Sequence, residues 1–232
     1  MVEATSQHAQ RTQGVQIEVS GLLFDMDGVL VSSIGSVVRS WRLWAKHYGL
    51  PNPDKVEIPH GMRAIEVMTQ LKPDIDKVEG LKLIEDIEMG DTADLEVLDG
   101  VRVLLESLPA HRWAIVTSAT HRLLLGRLKA AGLPVPDRII SGDQVKRGKP
   151  DPEPYRRGAE LLGVQPQDCL VFEDAPPGVR AGVAAGCRVV GVLGTHTAEE
   201  LREAGANWIV SSLTRVRPEA RDGRIIVDIE AA

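Results

Sequence analysis

The sequence predicts an α/β fold in which a three-layer, Rossmann-like core with a parallel sheet carries an inserted, all-helical cap. Two observations lead to this prediction. Short apolar segments alternate with helical patterns along most of the chain, and residues 33–98 interrupt that alternation with helical patterns alone. Continuous apolar strands that alternate with helices are typical of a parallel sheet covered by helices on both faces.

The predicted core strands are short apolar runs. They cover residues 21–24, 113–116, 138–140, 169–172 and 189–193. Helical patterns lie between them, at residues 123–131, 155–162 and 178–185. Parallel strands present their carboxyl ends at one edge of the sheet. The polar residues that follow these strands are therefore expected to gather there, where such sheets bind ligands.

The predicted cap begins with an amphipathic helix. Its apolar residues recur at helical spacing and are Ile34, Val37, Val38, Trp41, Trp44, Ala45 and Tyr48. Further helical patterns cover residues 64–71 and 78–89. We expect Trp41 and Trp44 to belong to the cap's own hydrophobic core, because both lie on the apolar face of the first helix.

The predicted domain boundaries follow from these patterns. A mobile leader is expected over residues 1–20, the catalytic core over residues 21–32 and 99–232, and the cap over residues 33–98. The hinges that let such a cap close over the core are expected near residues 31–36 and 94–100.

Composition argues against several classes of partner. The chain has 232 residues and a net charge of −6, with two phenylalanines and two tyrosines. Few phenylalanines and tyrosines make stacking platforms for single-stranded nucleic acid unlikely, and the negative net charge argues against a phosphate-backbone partner. The two cysteines suggest no disulfide framework, and neither a signal peptide nor a membrane-length apolar run is visible. We expect a cytoplasmic protein without nucleic-acid, membrane or obligate protein partners.

Two aspartates follow the first predicted core strand. Asp25 and Asp27 are separated by one residue, so both carboxylates point to the same side, and Gly28 lets the chain turn away. Two carboxylates this close repel one another, and a cation relieves the repulsion. Magnesium suits such a site because it binds one or two carboxylates together with a substrate phosphate. Taken alone, the pair fits an acidic strand-to-loop turn equally well.

Other predicted strands end in polar residues too. Thr117 and Ser118 follow the second strand and offer hydroxyl and amide donors, although such residues often cap a helix. Lys149 lies in a loop rich in glycine and proline, where it could neutralise phosphate charge. Glu173 and Asp174 close the fourth strand and would complete a metal site beside Asp25.

The order and spacing of these residues resemble the haloacid dehalogenase superfamily, and the resemblance covers the chain from about residue 21 onward. The motifs that carry it are Asp25-Met26-Asp27-Gly28, Thr117 with Ser118 beside it, Lys149, and Glu173-Asp174. Residues 41–49, 60–63, 148–155 and 172–178 are similar to glycerol-phosphate, 2-deoxyglucose-6-phosphate and sugar-phosphate phosphatases, which carry a helical C1-type cap.

The resemblance implies a role for each matching residue. Asp25 would be the nucleophile that forms a phospho-aspartyl intermediate, and Asp27 the general acid and then the general base. Thr117 and the Ser118 amide would hold phosphoryl oxygens, and Lys149 would offset their charge. The implied Mg²⁺ ligands are Asp25, the Asp27 carbonyl and Asp174, with Glu173 as a further candidate.

The sequence bears on three alternatives to a phosphatase: a dehalogenase, a phosphomutase and an inactive scaffold. Dehalogenases of this superfamily lack the second aspartate, so Asp27 argues against one. A β-phosphoglucomutase-like phosphomutase shares the core motifs, and Val29 resembles that group. The mutases, however, carry a histidine in the hinge, and residues 32–38 contain none. An inactive scaffold would normally have lost one of the motif residues, and all are present.

The choice of substrate is expected to lie in the cap. His60 and Arg63 belong to the run Pro59-His60-Gly61-Met62-Arg63, just before a predicted helix. We expect this pair to contact phosphate or sugar hydroxyls, although both could equally be ordinary residues at a helix start. The sequence thus predicts a Mg²⁺-dependent phosphatase of small sugar or polyol phosphates such as glycerol phosphate or hexose phosphate.

Overall fold

The computed structural model describes residues 14–232, and its strands and helices alternate through most of that range. The strands are β1 Val15–Val19, β2 Gly21–Phe24, β3 Val31–Ser32, β4 Glu96–Val97, β5 Trp113–Val116, β6 Ile139–Ile140, β7 Cys169–Glu173, β8 Arg188–Val192, β9 Trp208–Val210, β10 Val216–Arg221 and β11 Arg224–Ile229. The helices are α1 Ile34–His47, α2 Ala64–Leu71, α3 Lys77–Gly90, α4 Val101–Ser107, α5 His121–Ala131, α6 Glu153–Leu162, α7 Pro176–Ala185 and α8 Ala198–Glu203.

A six-stranded parallel sheet forms the core, in the order β6-β5-β2-β7-β8-β9. Every residue of β2, β5 and β7 is buried, as expected for apolar strands covered on both faces. Separate hydrophobic clusters lie on the two faces of the sheet. The predicted three-layer α/β fold is confirmed. Because β2 lies between β5 and β7, the ends of these three strands are neighbours.

A second, antiparallel sheet was not predicted. Strand β1 pairs with β11 from Val15 opposite Ile229 to Val19 opposite Ile225, and β10 lies on the other side of β11. The predicted leader over residues 1–20 is therefore wrong for Val15–Val19. In β1 apolar and polar residues alternate, a strand pattern in which Ile17 and Val19 point into the core. Residues 1–13 of the predicted leader lie outside the described residues.

Helices α1, α2 and α3 pack around a hydrophobic cluster of their own. Trp41 and Trp44 belong to this cluster, and the Trp44 indole nitrogen donates to the Gly80 carbonyl at 3.0 Å. A Cβ at Gly80 would come within 2.7 Å of the Ile75 side chain in the loop before α3, which would then have to shift. We refer to α1–α3 and their connecting loops as the cap.

The cap is joined to the core by two neighbouring strands. Strands β3 and β4 pair antiparallel, with Val31 opposite Val97 and Ser32 opposite Glu96. Strand β4 falls inside the range that was predicted to be all-helical, because a strand of two residues leaves no periodic pattern in the sequence. None of the helices within residues 14–232 has the length and apolar character needed to cross a membrane.

Candidate active site

Asp25 and Asp27 lie in a tight turn directly after β2. The Asp25 amide donates to the Phe172 carbonyl of β7 at 3.0 Å, and its carboxylate accepts from the Met26 amide at 2.7 Å. Gly28 follows with a φ of +80°. A side chain at that position would collide with the Asp174 carboxylate. The glycine therefore permits both the turn and the close approach of Asp174.

Three buried carboxylates converge beside this turn. Oxygen atoms of Asp25, Glu173 and Asp174 lie within 4.8 Å of one another. Burial raises the pKa of Asp25 to about 7, against the opposing effect of the Lys149 charge. Burial and the charges of Glu173 and Asp25 also raise the pKa of Asp174. The cluster therefore holds more negative charge than the protein neutralises, and this is the condition that a divalent cation relieves.

Lys149 is the cation of this cluster. Its side chain is 1% exposed, and its Nζ lies 2.6 Å from Glu173, 3.0 Å from the Val116 carbonyl and 3.1 Å from Asp25. Burial alone would lower the pKa of Lys149, but the negative charges of Asp25 and Glu173 outweigh it and raise the pKa. The ammonium therefore stays charged next to the carboxylate that the sequence singles out as nucleophile.

Both carboxylate oxygens of Glu173 accept hydrogen bonds from the protein. Oε1 accepts from Lys149 and, at 2.6 Å, from the Tyr155 hydroxyl. Oε2 accepts from the backbone amides of Asp174 and Ala175, at 3.1 and 3.4 Å. Glu173 is thus better placed to hold Lys149 than to bind a metal ion directly. Tyr155 was missed by the sequence analysis, because a lone tyrosine in a helix carries no signal for such a contact.

Asp174 keeps a more open position. Its Oδ2 accepts from the Thr195 hydroxyl, and its side chain lines the cavity between core and cap. The His196 ring nitrogen lies 3.2 Å from the Asp174 carbonyl oxygen. Thr195 was also missed, because it follows β8, a strand whose end carried no acidic or basic residue to draw attention to it.

Thr117 and Ser118 lie where the sequence predicted them, directly after β5. Thr117 is buried, and its hydroxyl oxygen accepts from the Ala119 amide at 3.1 Å. The Ser118 hydroxyl donates to the Gly61 carbonyl of the cap at 2.6 Å. Both residues line the cavity together with Asp25. The Ser118 side chain thus contacts the cap, and its amide is the group available to a ligand.

His60 and Arg63 of the cap have different surroundings. His60 lines the cavity, its ring centroid 5.8 Å from that of His196, and burial lowers its pKa. Arg63 is not among the described residues that line this cavity, and it donates to three carbonyls of a core loop, those of Gly142, Val145 and Lys146. It also pairs with Glu66. In this structure the Arg63 side chain fastens the cap to the core, and the expected contact between Arg63 and substrate stays a prediction.

Replacing Arg63 with lysine is expected to raise KM. A lysine keeps the charge but lacks the planar fork that reaches several carbonyls at once, so the cap is held less firmly over the site. We expect kcat/KM to fall about tenfold, equivalent to about 1.4 kcal/mol. Steady-state kinetics measure the change, with Arg42→Lys at an exposed position of α1 as the matched control. Unchanged kinetics in Arg63→Lys would contradict the role as a fastening residue.

Asp27 is held by two residues that the sequence analysis did not select. Its Oδ1 accepts from the Ser33 hydroxyl at 2.7 Å, and its Oδ2 lies 2.6 Å from the guanidinium of Arg127 on α5. The same guanidinium lies 2.9 Å from Glu88 on α3 of the cap. Burial raises the pKa of Glu88 to about 7, although the Arg127 charge opposes this.

A cavity of about 110 Å³ lies between these residues and the cap. One wall is apolar and includes Ile34, Val37, Trp41, Met62, Leu81, Ile84 and Leu123. The remaining wall carries the carboxylates of Asp25, Asp27 and Asp174 from the core, and of Glu85 and Glu88 from the cap. The site thus joins a buried, charge-rich reaction centre to a small pocket closed by the cap.

Comparison with known proteins agrees with this geometry. The sequence profile of the "Haloacid dehalogenase-like hydrolase" family matches residues 22–192. The chain belongs to this hydrolase family. The residues that carry the resemblance in the sequence, among them Asp25, Thr117 and Asp174, lie at the ends of β2, β5 and β7 in this fold.

Members of the family that resemble this chain include named phosphatases. "Hexitol phosphatase A" of Escherichia coli (strain K12) is 40% identical over 201 residues, which cover 84% of this chain and 92% of the relative. "Glycerol-1-phosphate phosphohydrolase 2" of Saccharomyces cerevisiae is 32% identical over 219 residues, covering 89% and 87% of the two chains.

A solved structure of beta-phosphoglucomutase from Clostridium difficile shares the fold. It superimposes with a TM-score of 0.71 and 22% sequence identity, and the match covers 86% of this chain and 93% of the other. At this identity the likeness extends to the arrangement of core and cap and carries no information about substrate. The enzymatic nature of the chain follows from the family, and its reaction has to be argued from the site.

Proposed function

We propose that this hydrolase removes phosphate from small phosphorylated sugars or polyols through a covalent intermediate on Asp25. The observation that carries the proposal is the surroundings of Asp25: a buried carboxylate at the end of β2, 3.1 Å from a fully buried lysine and within 4.8 Å of two further carboxylates. The named relatives that act on hexitol phosphates and glycerol 1-phosphate support the same class of substrate.

The first step transfers the phosphoryl group to Asp25. A carboxylate oxygen of Asp25 attacks phosphorus while the bond from phosphorus to the ester oxygen breaks, and Asp27 gives its proton to the departing oxygen. Lys149 and the amide of Ser118 offset the charge on the phosphoryl oxygens, together with the Thr117 hydroxyl. Positioning and charge neutralisation supply most of the rate enhancement in such transfers.

The second step releases phosphate. A water molecule attacks the phosphorus of the aspartyl phosphate, Asp27 now accepts its proton, and the bond from phosphorus to Asp25 breaks. Inorganic phosphate and the free carboxylate of Asp25 result. One residue can serve both steps because the proton that Asp27 loses in the first step is recovered in the second.

The residues at the site fit a magnesium ion. Asp25 and Asp174 offer carboxylate oxygens, and the backbone carbonyl of Asp27 completes the set we propose. Oxygen ligands and excess negative charge are what Mg²⁺ prefers. Burial, together with the charges of neighbouring carboxylates, raises the pKa values of Asp25 and Asp174, and a bound cation would oppose that rise. When bound, Mg²⁺ would neutralise part of the phosphate charge. Glu173, whose oxygens are already engaged, would hold Lys149 in place.

The residues that line the cavity favour a substrate whose leaving group carries no charge. Arg127 is the sole arginine or lysine among the described residues that line it, and its guanidinium already pairs with Asp27 and Glu88. A second phosphate or a carboxylate on the substrate would therefore be repelled by Glu85 and Glu88, and the described lining offers no unpaired arginine or lysine to neutralise it. Hydroxyl groups, in contrast, can donate hydrogen bonds to these carboxylates. The arrangement favours sugar and polyol monophosphates over bisphosphates.

The same argument separates phosphatase from phosphomutase. A mutase must hold both phosphates of a bisphosphate while the intermediate turns around, so it needs a cationic site at the far end of the pocket. Within residues 14–232 the cavity lining provides no unpaired arginine or lysine for that purpose. The phosphomutase stays the alternative because a beta-phosphoglucomutase shares the fold.

A panel of phosphorylated compounds tests the proposal. Purified enzyme is incubated with hexitol, hexose and glycerol monophosphates and with a sugar bisphosphate, and free phosphate and isomerised sugar phosphate are measured separately. We expect phosphate release that stops in chelator and returns with Mg²⁺. For the bisphosphate we expect a kcat/KM at least about tenfold lower than for the best monophosphate. Efficient conversion of glucose 1-phosphate to glucose 6-phosphate with little free phosphate would instead establish the mutase.

A further inference from the structure

One guanidinium bridges the core and the cap through two acidic side chains. Arg127 of α5 lies 2.6 Å from Oδ2 of Asp27 in the core and 2.9 Å from Oε2 of Glu88 in the cap. The side chains of Arg127 and Glu88 are each 7% exposed, whereas that of Asp27 is 30% exposed. All three side chains line the cavity, and Asp27 is the most exposed of them.

Asp27 is held at both of its oxygens. Arg127 contacts Oδ2, and the hydroxyl of Ser33, the residue that precedes α1 of the cap, donates to Oδ1 at 2.7 Å. These contacts fix the direction of the carboxylate. Each of its oxygens retains a further lone pair on which a proton can be carried. Both contacts come from side chains whose position depends on the cap, either directly or through Glu88.

Stability is a poor explanation for this arrangement. The cost of removing two charges from water largely cancels the attraction within a buried ion pair, so a well-packed apolar pair would serve the fold at least as well. Geometry, in contrast, is what a guanidinium supplies: its planar fork directs donors to two carboxylates at once. A proton donor is effective only if it points at the departing oxygen.

We propose that Arg127 is a positioning residue that directs the Asp27 carboxylate for proton transfer, and that Glu88 fixes Arg127 when the cap is seated on the core. The proposal rests on the proposed function, because it requires Asp27 to exchange a proton with the leaving group. Closing the cap then does more than exclude water: it completes the contacts that orient the proton donor. Ser33 holds the second oxygen in the same closed arrangement.

Leaving groups of different basicity separate orientation from folding. An alkoxide such as that of glycerol 1-phosphate needs a proton as it departs, whereas p-nitrophenolate departs without one. The ratio kcat/KM reports the steps up to the first irreversible one, here transfer to Asp25. Loss of proton-donor orientation therefore lowers kcat/KM for glycerol 1-phosphate and spares p-nitrophenyl phosphate. A general loss of structure lowers both.

The variants are chosen so that the fold survives. Arg127→Met alone would leave Glu88 buried without a partner, so it is also combined with Glu88→Met, which removes that charge. In the double variant we expect kcat/KM for glycerol 1-phosphate to fall about 10²-fold, within the range that proton transfer contributes. For p-nitrophenyl phosphate we expect a change within about threefold. Arg127→Lys should recover part of the loss, and Glu88→Gln alone should give a smaller, equally selective loss.

Two control variants test whether the effect belongs to Arg127. Lys129→Met changes an exposed cation on the same helix and should leave both substrates unaffected. Arg122 of α5 also bridges to the cap, through Glu85 and Asp86, but does not touch Asp27. Because its partner Glu85 lines the cavity, Arg122→Met should give at most a small selective loss for glycerol 1-phosphate. A selective loss in Arg122→Met as large as in the Arg127 double variant would overturn the assignment to Arg127.

Asp27→Asn distinguishes failure of this inference from failure of the proposed function. We expect it to lose glycerol 1-phosphate activity selectively, like the Arg127 variants and more strongly. If Asp27→Asn shows the selective loss and the Arg127 double variant does not, the positioning role is wrong and the proposed chemistry stands. If Asp27→Asn affects both substrates equally, the proton role of Asp27 fails, and the inference fails with it.

Discussion

Asp25→Asn is expected to abolish turnover while leaving the protein folded. An amide nitrogen or oxygen cannot replace the carboxylate as nucleophile, so kcat should fall by about 10⁴-fold or more for every phosphate ester. The fold should tolerate the change, because a neutral side chain relieves the repulsion between Asp25 and the carboxylates of Glu173 and Asp174, and Lys149 keeps its partner Glu173. Phosphate release and thermal unfolding measure the two effects.

A surface aspartate provides the matched control for this variant. Asp137→Asn makes the same chemical change at an exposed position and should leave both turnover and melting temperature unchanged. In the unmodified enzyme, rapid acid quenching during turnover should yield a peptide phosphorylated at Asp25, and the Asp25→Asn protein should yield none. Normal phosphate release by Asp25→Asn would rule out the covalent mechanism.

Lys149→Met is expected to impair both activity and stability. For activity, losing the cation beside the phosphoryl group should lower kcat by about 10²- to 10³-fold. For stability, three buried carboxylates remain without the ammonium that balances them, and breaking such a buried pair costs about 3–5 kcal/mol. Denaturant unfolding of the metal-free protein at pH 8 measures this loss, and Lys146→Met, an exposed lysine of the same loop, is the control.

The stability loss in Lys149→Met should shrink as the pH falls. Burial raises the pKa of Asp25 to about 7, from 3.8 in the unfolded chain, so the folded protein binds protons more readily than the unfolded chain between these values. The Lys149 charge lowers this pKa, so its removal raises the pKa further, and the variant loses more stability than the unmodified protein as the pH rises through about 7. The free energy of unfolding should therefore differ less between Lys149→Met and the unmodified protein at pH 5 than at pH 8. A loss that is equal at both values would contradict the charge-balance role of Lys149.

The core of the fold and the centre of the site could both be predicted from the sequence because both depend on buried parallel strands. Strands buried on both faces must be continuously apolar, so β2, β5 and β7 were recognisable as short runs. Parallel strands end at a common edge, so Asp25, Thr117 and Asp174 could be placed together without coordinates. Lys149 followed from its position in a loop beside that edge.

Residues that act from helices could not be found in this way. Arg127 and Glu88 are separated by 39 positions, and Arg127 and Asp27 by 100. From sequence alone, a charged residue in an amphipathic helix is expected to be solvent-exposed, because the packing of that helix is not known. Whether a long side chain such as that of Arg63 points to a cavity or to a neighbouring loop likewise depends on tertiary packing. The antiparallel pairing of β1 with β11 joins segments more than 200 residues apart, and alternation alone does not identify the partner strand.

The pairing of β1 with β11 also determines how the molecule responds to mechanical force. Val15 and Ile229 are opposite one another at the outer end of this ladder. A load applied between these two residues would therefore peel β1 from β11 one hydrogen-bonded pair at a time, instead of shearing all pairs together. The pairing of β1 with β11 would therefore break at low force, before the load reaches the parallel sheet next to which Asp25, Lys149 and Asp174 lie.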